Sequence, residues 1–137
     1  MAGGDFLLYT DGASRGNPGP ASIGAVLYVD RGAGPEEVAD VSEALGTTTN
    51  NVAEYRAVIA GLELVSHFEP DRVVVRADSQ LLVRQLTGEY RVKAPNLRPL
   101  VARVRELVTE IGDVRFEHVP REQNTVADAL ANAALDG

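Results

Sequence analysis

Four acidic residues follow or interrupt apolar stretches of the chain, where carboxylates are unusual. Each lies near the end of a predicted strand or the start of a predicted helix: Asp11, Glu54, Asp78 and Asp128. An isolated negative charge is costly in such surroundings. A cluster of acids becomes stable when a hard divalent cation neutralises it. The pattern therefore predicts metal-assisted chemistry on a phosphate substrate.

The first two acids also have purely structural interpretations. Asp11 precedes Gly12, and Asp-Gly is a common turn pair. Glu54 lies three residues after Asn51, the spacing at which an acid closes a capping box at a helix start. Both interpretations stay open when each residue is considered alone.

The other two acids also have structural interpretations. Asp78 is placed to cap a helix that begins at Ser79. Asp128 lies near the start of a helix that Asn124 would cap, where a negative charge interacts favourably with the helix dipole. No single structural explanation covers all four acids together, whereas a shared metal site does.

Composition limits the class of protein and of metal site. The 137 residues suffice for one domain with a buried core, and we treat 1–137 as a single domain. Without cysteine, a metal must be held by oxygen or imidazole ligands. The N-terminal residues lack the features of a signal peptide, and no apolar run is long enough to span a bilayer, so we expect a cytoplasmic location.

Charge is unevenly distributed along the chain. The net charge of -7 argues against a nucleic-acid partner, which usually requires a basic surface. The segment 84–105 runs against this trend, since it carries a single acid, Glu89, and six cations: Arg84, Arg91, Lys93, Arg98, Arg103 and Arg105. This positive stretch predicts a local phosphate contact.

Periodicity and turn residues predict five strands and four helices in the order βββαβααβα. The strands are expected over residues 6–10, 23–29, 38–45, 73–77 and 114–119, and the helices from Val52 to just before Pro70 and over 79–86, 96–111 and 124–135. The pattern indicates an α/β fold.

The order of elements predicts the topology of the sheet. Strand–helix–strand crossovers are right-handed, which makes the first, fourth and fifth strands parallel neighbours and gives the order 3-2-1-4-5 in a mixed sheet with helices on both faces. Ligands of open α/β sheets bind at the carboxyl ends of the parallel strands. Asp11 and Asp78 lie there, and Glu54 and Asp128, each in the first turn of a helix, are expected to reach the same edge.

Four sequence strings carry a resemblance to a known family: TDGASRGNPGPASIGAV, TTTNNVAEYRAVIAGLELV, ADSQLLVRQL and HVPREQNTVADALANAAL. In order and spacing they strongly resemble ribonuclease H type I over almost the whole chain. The resemblance implies the ribonuclease H-like fold. It also implies an endonuclease that hydrolyses the RNA strand of RNA–DNA hybrids and leaves 5′-phosphate and 3′-hydroxyl ends.

The resemblance also implies the cofactor. Asp11, Glu54, Asp78 and Asp128 match the catalytic acids of the family, which hold two Mg²⁺ ions, with Mn²⁺ as an alternative, against the scissile phosphate. One ion lowers the pKa of the attacking water and the other stabilises the departing 3′ oxygen.

Substrate contacts are carried over position by position. Amide side chains match residues that contact the minor groove, where they can donate to and accept from 2′-hydroxyls and base edges. These are Asn17, Asn50, Asn51 and Gln80, and helix capping is the alternative role of the adjacent pair. The backbone from Gly12 to Ser14 matches a segment that contacts the RNA strand. The remaining expected contacts are Arg91, Lys93, Arg121 and Asn124.

Two features depart from the family pattern. The loop VPREQN is short and lacks the histidine of many members, so we expect Arg121 or Glu122 to take its place and His118, inside a strand, to have a structural role. The segment GEYRVKAPN is too short for the basic helix with which some members grip the DNA strand. The positive stretch is expected to supply a reduced grip.

Two other function classes remain open from the sequence. Exonucleases with four acidic ligands share the metal chemistry but have different local motifs. A catalytically silent hybrid-binding module is disfavoured because all four acids are present. We expect the domain to be monomeric, either alone or fused to another domain, with an RNA–DNA hybrid and no membrane as its partner.

Overall fold

A computed structural model describes residues 3–136, which form five strands and four helices. The elements are β1 (Asp5–Ser14), β2 (Gly19–Asp30), β3 (Pro35–Thr48), α1 (Asn50–Ser66), β4 (Arg72–Ala77), α2 (Gln80–Leu86), α3 (Arg98–Ile111), β5 (Val114–His118) and α4 (Thr125–Asp136). A 3₁₀ turn over Arg121–Gln123 precedes α4. None of the helices within 3–136 has the length and apolar character needed to cross a membrane.

The strands form one mixed sheet with the order β3-β2-β1-β4-β5, as predicted. β1 runs antiparallel to β2 and parallel to β4, and β4 runs parallel to β5. Thr10 pairs with Ala77, so the next residues, Asp11 and Asp78, emerge side by side at the same edge. The predicted α/β fold class is confirmed.

Two glycines show that helices cover both faces of the sheet. Gly12 faces α1, and a Cβ built there would lie 2.2 Å from the carbonyl carbon of Ala53. Gly24 faces α4, and its Cβ would lie 2.1 Å from the carbonyl oxygen of Ala127. Because Gly24 pairs with Asp11, the residue before Gly12, the two glycines point to opposite faces. Each helix can approach the sheet this closely only because the strand lacks a side chain there.

The main hydrophobic core lies between the sheet and the helices α1 and α3. Leu8 and Val75 from the strands pack there with Tyr55 of α1 and Leu107 of α3, all at most 2% exposed. One face of α3 and the residue before it supply this core: Leu97, Val104 and Leu107 are buried, and Leu100 and Ile111 pack against them. This rigid layer fixes the strand ends from which the acids emerge.

Several element boundaries differ from the predicted ones. β1 continues through Asp11 to Ser14, and the hairpin turn is confined to the residues between Ser14 and Gly19. The turn interpretation of Asp11-Gly12 is therefore wrong, because both residues pair with β2 in the sheet. Pairing with a neighbouring strand extends β1 beyond its apolar run.

Candidate active site

The four acids predicted from the sequence line one cleft of about 310 Å³ at the carboxyl edge of β1 and β4. They are Asp11, Glu54, Asp78 and Asp128, and they come from four different elements or their junctions. The expected convergence is therefore present. Gly12, Ser14, Asn50 and Arg121, all expected substrate contacts, line the same cleft.

Close packing of α4 on β2 brings Asp128 to Asp11. Asp11 lies opposite Gly24 in the sheet, and the backbone of α4 around Ala127 seats directly on Gly24. Asp128, the next residue and in the first turn of α4, shares a side-chain hydrogen bond with Asp11. The position of Asp128 near the helix start also agrees with the favourable dipole interaction expected for it.

Glu54 reaches the cleft from the second turn of α1, not from the first turn as expected. The helix begins at Asn50, and its N-cap is Thr49, whose hydroxyl accepts a hydrogen bond from the Val52 amide at 3.3 Å. The capping-box interpretation of Glu54 with Asn51 is therefore wrong, as is helix capping by the asparagine pair. Contact between Gly12 and the Glu54 backbone sets the height of the helix over β1.

Asp78 follows β4 and leaves the capping of α2 to its neighbour. Ser79 is the N-cap, and its hydroxyl accepts from the Leu82 amide at 3.2 Å. The capping interpretation of Asp78 is wrong, and its carboxylate is left for the cleft. Ser79 also hydrogen-bonds the Glu54 side chain, and so holds Glu54 next to the segment that carries Asp78.

Asn124 is expected from the sequence to cap α4 and to contact the substrate, and its position agrees with neither role. It is only 1% exposed, and its amide nitrogen donates to the Thr10 carbonyl at 2.9 Å and to the Asp78 carboxylate at 3.0 Å. Its side-chain oxygen has no partner among residues 3–136, so the side chain does not cap α4. The expected substrate contact is corrected on the same ground, because a buried amide that orients Asp78 is not on the substrate surface.

Crowding of the four acids without a counter-charge raises the pKa values of two of them, Asp11 and Glu54. Burial, the hydrogen bond that protonated Asp11 donates to Asp128 and repulsion by the other acids raise the pKa of Asp11 to about 8. Burial, chiefly, and the neighbouring Asp78 raise the pKa of Glu54 to about 7, although the Ser79 hydroxyl opposes the shift. Such a cluster favours the binding of a cation.

The oxygen donors of the cleft are arranged to bind a hydrated hard cation, not to enclose a cation completely with protein ligands. Within residues 3–136, no three Asp, Glu or His side chains are preset to enclose one ion. Mg²⁺ commonly takes only one or two carboxylates and completes its shell with water and substrate phosphate. Four oxygen donors spread around an open cleft match that mode of binding.

The raised pKa of Asp11 predicts how stability depends on pH in the absence of metal. The folded state holds the Asp11 proton up to about pH 8, whereas the ordinary pKa of an aspartate side chain is 3.8. The stabilisation associated with the protonated form is therefore lost as the pH rises through this interval. In chelator we expect the melting temperature to fall from pH 5 to pH 8.5, and to fall less in Asp11→Asn.

Calorimetry or circular dichroism across this pH series checks the expectation. Asp40→Asn, which removes an exposed acid of β3, is the matched control and should follow the parent. Added Mg²⁺ should stabilise the parent more at pH 8 than at pH 5, because the ionised site binds it better. Parallel pH curves for parent and Asp11→Asn would contradict the assignment of the raised pKa.

Four exposed amides, here called the amide rim, lie close to the acids along the chain or bond a residue that does: Asn50, which lines the cleft, and Asn51 precede Glu54, Gln80 follows Asp78 by two residues, and Asn17 bonds Asn50. Asn17, Asn50, Asn51 and Gln80 are all solvent-exposed. The Asn17 side-chain oxygen accepts from the Asn50 backbone amide at 3.1 Å, and the Asn50 side-chain amide lies 3.5 Å from the Glu54 carboxylate. The hairpin turn is thereby joined to the start of α1 next to the cleft.

The three expected cationic contacts lie in three different places. Arg121 lines the acidic cleft, whereas Arg91 lines a separate groove beside α3 and Lys93 is exposed outside both. His118, for which we expect a structural role, is exposed at the end of β5 and does not line the cleft. Glu122 is exposed in the 3₁₀ turn.

Sequence reasoning missed two polar residues of the cleft. Arg15 lines it and pairs with Asp136 at 2.5 Å. Asn132 lines it one helical turn after Asp128, and its amide donates to the Asp128 carbonyl at 3.0 Å. The four-residue spacing from Asp128 was the available signal for Asn132.

Comparison with known proteins places this arrangement in a family. The family model described as "Reverse transcriptase-like" matches residues 9–134. Ribonuclease H of Coxiella burnetii is 32% identical over 94% of this chain and 88% of its own length. The chain belongs to the ribonuclease H family. The crystal structure of RNase H1 from the halophilic archaeon Halobacterium salinarum superposes with a TM-score of 0.91 at 48% identity, covering 97% of this chain and 98% of that one.

Another similar structure, also of a ribonuclease H, contains bound nucleic acid. LC11-RNase H1 in complex with an RNA/DNA hybrid is 43% identical, with a TM-score of 0.89 and 96% coverage of both chains. Some relatives are longer proteins. This chain spans 66% of the length of Ribonuclease HI of Halobacterium salinarum and 35% of the bifunctional protein Rv2228c of Mycobacterium tuberculosis.

Proposed function

We propose that this ribonuclease H domain is an endonuclease that hydrolyses the RNA strand of RNA–DNA hybrids. The observation that carries the proposal is the convergence of Asp11, Glu54, Asp78 and Asp128 on one cleft with an amide rim beside it. The hybrid-bound LC11-RNase H1, alike over 96% of the chain, supports the choice of substrate.

The mechanism follows from what each group in the cleft can do. The four carboxylates would hold two Mg²⁺ ions, and such ions would lower the pKa of an attacking water and offset negative charge on the departing 3′ oxygen. Asn124 holds Asp78 in place, and Ser79 holds Glu54. Arg121, which lines the cleft, would contact a phosphate of the bound strand. The products carry 5′-phosphate and 3′-hydroxyl ends.

The amide rim would select the substrate. Asn17, Asn50, Asn51 and Gln80 can each donate and accept hydrogen bonds, as 2′-hydroxyls and minor-groove base edges require. The backbone from Gly12 to Ser14 would support the RNA strand near the cut. The Ser14 hydroxyl, which hydrogen-bonds the Thr48 carbonyl at 3.1 Å, fixes this segment against the end of β3.

One experiment separates this proposal from the two alternative classes. An end-labelled RNA–DNA hybrid is incubated with the protein and either Mg²⁺ or chelator, and the products are resolved by length. We expect internal cuts in the RNA strand with Mg²⁺ and none with chelator. A ladder growing from one end would indicate an exonuclease, and binding without cleavage would indicate a silent hybrid-binding module.

A further inference from the structure

The hairpin turn between β1 and β2 carries an arginine that the proposed catalysis does not use. Arg15 is the first residue after β1, and it lines the same cleft as the four acids. Arg15 and Arg121 are the two cations among the cleft-lining residues that the structure describes. The proposed function gives Arg121 a phosphate to bind, whereas it gives Arg15 no ligand.

Backbone contacts fix the hairpin turn and leave the Arg15 side chain at the surface. The Arg15 amide donates to the Pro20 carbonyl at 2.8 Å, which closes the hairpin. The Asn17 side-chain oxygen accepts from the Asn50 amide at 3.1 Å, which joins the turn to α1. The Arg15 side chain itself is 48% exposed. Only this side chain has to move for the guanidinium to reach a ligand, so little backbone order has to be created on binding.

Asp136 holds the guanidinium at the far end of α4. The Arg15 guanidinium donates to the Asp136 carboxylate at 2.5 Å. Asp128, Asn132 and Asp136 follow one another at four-residue intervals, so they share one face of α4. The first two line the cleft, and Asp136 lies about 12 Å along the helix from Asp128 at roughly 1.5 Å per residue. Arg15 therefore connects the cleft with a carboxylate beyond it.

This ion pair is weak enough to be exchanged for a stronger one. Both partners are exposed, Asp136 by 64% of its side chain, and solvent screens such pairs. Asp136 also lies at the C-terminal end of α4, where the helix dipole disfavours a carboxylate. A phosphate offers the guanidinium two charge-assisted hydrogen bonds in a matching geometry. A phosphate that enters the cleft can therefore take Arg15 from Asp136.

The neighbours of Arg15 indicate which strand supplies that phosphate. The backbone from Gly12 to Ser14 is expected to support the RNA strand near the cut, and Arg15 comes next in the chain. Asp128, on the same face of α4 as Asp136, is one of the acids that would hold metal at the scissile phosphate. An RNA strand that runs from the acids along this face of α4 would bring a neighbouring phosphate to the guanidinium.

We propose that Arg15 binds a phosphate of the RNA strand beside the cut, and that Asp136 competes with this phosphate for the guanidinium. The proposal rests on the proposed function and adds to it one substrate contact and one residue that weakens that contact. Asp136 acts only through Arg15. The contact is made in the ground state, so it sets affinity and not the rate of the chemical step.

The test exploits the opposite signs expected for the two partners. Hybrid binding is measured by fluorescence anisotropy over a salt series, with Mg²⁺ present and in an Asp78→Asn background that prevents cleavage. Arg15→Gln should bind about threefold to tenfold more weakly near 0.1 M salt and lose roughly one unit of log–log salt slope. Asp136→Asn should bind about twofold to fivefold more tightly, the range that an exposed ion pair can supply. In the Arg15→Gln background, Asp136→Asn should change nothing.

A second ion pair of the same kind is the matched control. Arg72 pairs with Asp113 at 3.2 Å, its side chain is also 48% exposed, and it begins β4 at the end of the strand away from Asp78. Arg72→Gln and Asp113→Asn should each leave the affinity and the salt slope unchanged, and thermal melting should show all variants folded.

Three outcomes would overturn the proposal. Weaker binding by a folded Asp136→Asn variant would make the pair a structural tie between the hairpin turn and α4. Tighter binding that persists in the Arg15→Gln background would mean that Asp136 repels the substrate directly and does not compete for Arg15. Equal affinities and slopes for Arg15→Gln and Arg72→Gln would exclude a phosphate contact at Arg15.

Neutralising single phosphates of the substrate locates the contact. A methylphosphonate is placed at each RNA linkage around the cut in turn, after one 2′-deoxynucleotide that protects it, and the deoxynucleotide alone is the reference. The Asp78→Asn protein should lose affinity at one linkage to which the Arg15→Gln variant is insensitive. Such a pattern in the DNA strand alone would overturn the choice of strand. Cleavage of an unmodified hybrid by the otherwise unmodified protein, measured in parallel, tests the proposed function independently.

Discussion

Asp78→Asn is expected to abolish Mg²⁺-dependent cleavage of RNA–DNA hybrids while the domain stays folded. The substitution removes the charge of a central acid but keeps its shape, and the asparagine oxygen can still accept the hydrogen bond that Asn124 donates at 3.0 Å. We expect a fall in kcat at least as large as the roughly 10²–10³-fold cost of removing one stabilising group from an active site. Hybrid binding should persist, because the amide rim is untouched.

The stability of this variant provides a second, independent readout. Asp78 is one of the charges that raise the pKa values of Asp11 and Glu54. Without metal, its neutralisation relieves repulsion, so Asp78→Asn should be at least as stable as the parent in chelator. Asp40→Asn on the exposed β3 strand is the control for activity and should cleave normally. Near-normal turnover by a folded Asp78→Asn protein would exclude Asp78 from catalysis.

The architecture could be predicted because it depends on local and topological rules. Apolar periodicity located the elements, and right-handed crossovers fixed the order of the strands. The same rules placed Asp11 and Asp78 at one edge of the sheet, since both follow strands that run parallel. The extent of β3 and the start of α1 were less accurate, because strand pairing and packing set these boundaries.

The fine geometry of the site could not be predicted, because it depends on tertiary contacts. Gly12 and Gly24 look like ordinary glycines in the sequence. Only the packing of α1 on Gly12 and of α4 on Gly24 shows that a side chain at either position would hold Glu54 or Asp128 away from Asp11. The segment TTTNN offers several possible caps, and the packing of α1 selects Thr49. Likewise, an asparagine before a helix is usually a cap, and only its burial assigns Asn124 to the support of Asp78.

The second large effect is expected in substrate selectivity. The domain should cleave an RNA–DNA hybrid much faster than duplex DNA of the same sequence. The exposed amides of Asn17, Asn50, Asn51 and Gln80 would hydrogen-bond 2′-hydroxyls, and duplex DNA would leave them without partners. A site built to bind a substrate hydroxyl rejects the analogue that lacks it by about 10⁴-fold or more. Duplex RNA offers the hydroxyls, so its rejection must come from the strand opposite the cut, where a deformable deoxy strand is required.

Steady-state kinetics on four duplexes of one sequence measure these two contributions separately. They are the hybrid, duplex DNA, duplex RNA and a hybrid whose RNA strand carries single 2′-deoxynucleotides around the cut. Single deoxy substitutions should lower kcat/KM only at the nucleotides that the amide rim contacts. Asn51→Ala should remove this penalty at the nucleotide that Asn51 contacts. Asn96→Ala, which changes an exposed asparagine outside the acidic cleft, should remove none of the penalties. Efficient cutting of duplex DNA would contradict recognition through 2′-hydroxyls. Cleavage of duplex RNA as fast as the hybrid would show that the strand opposite the cut does not contribute to selectivity.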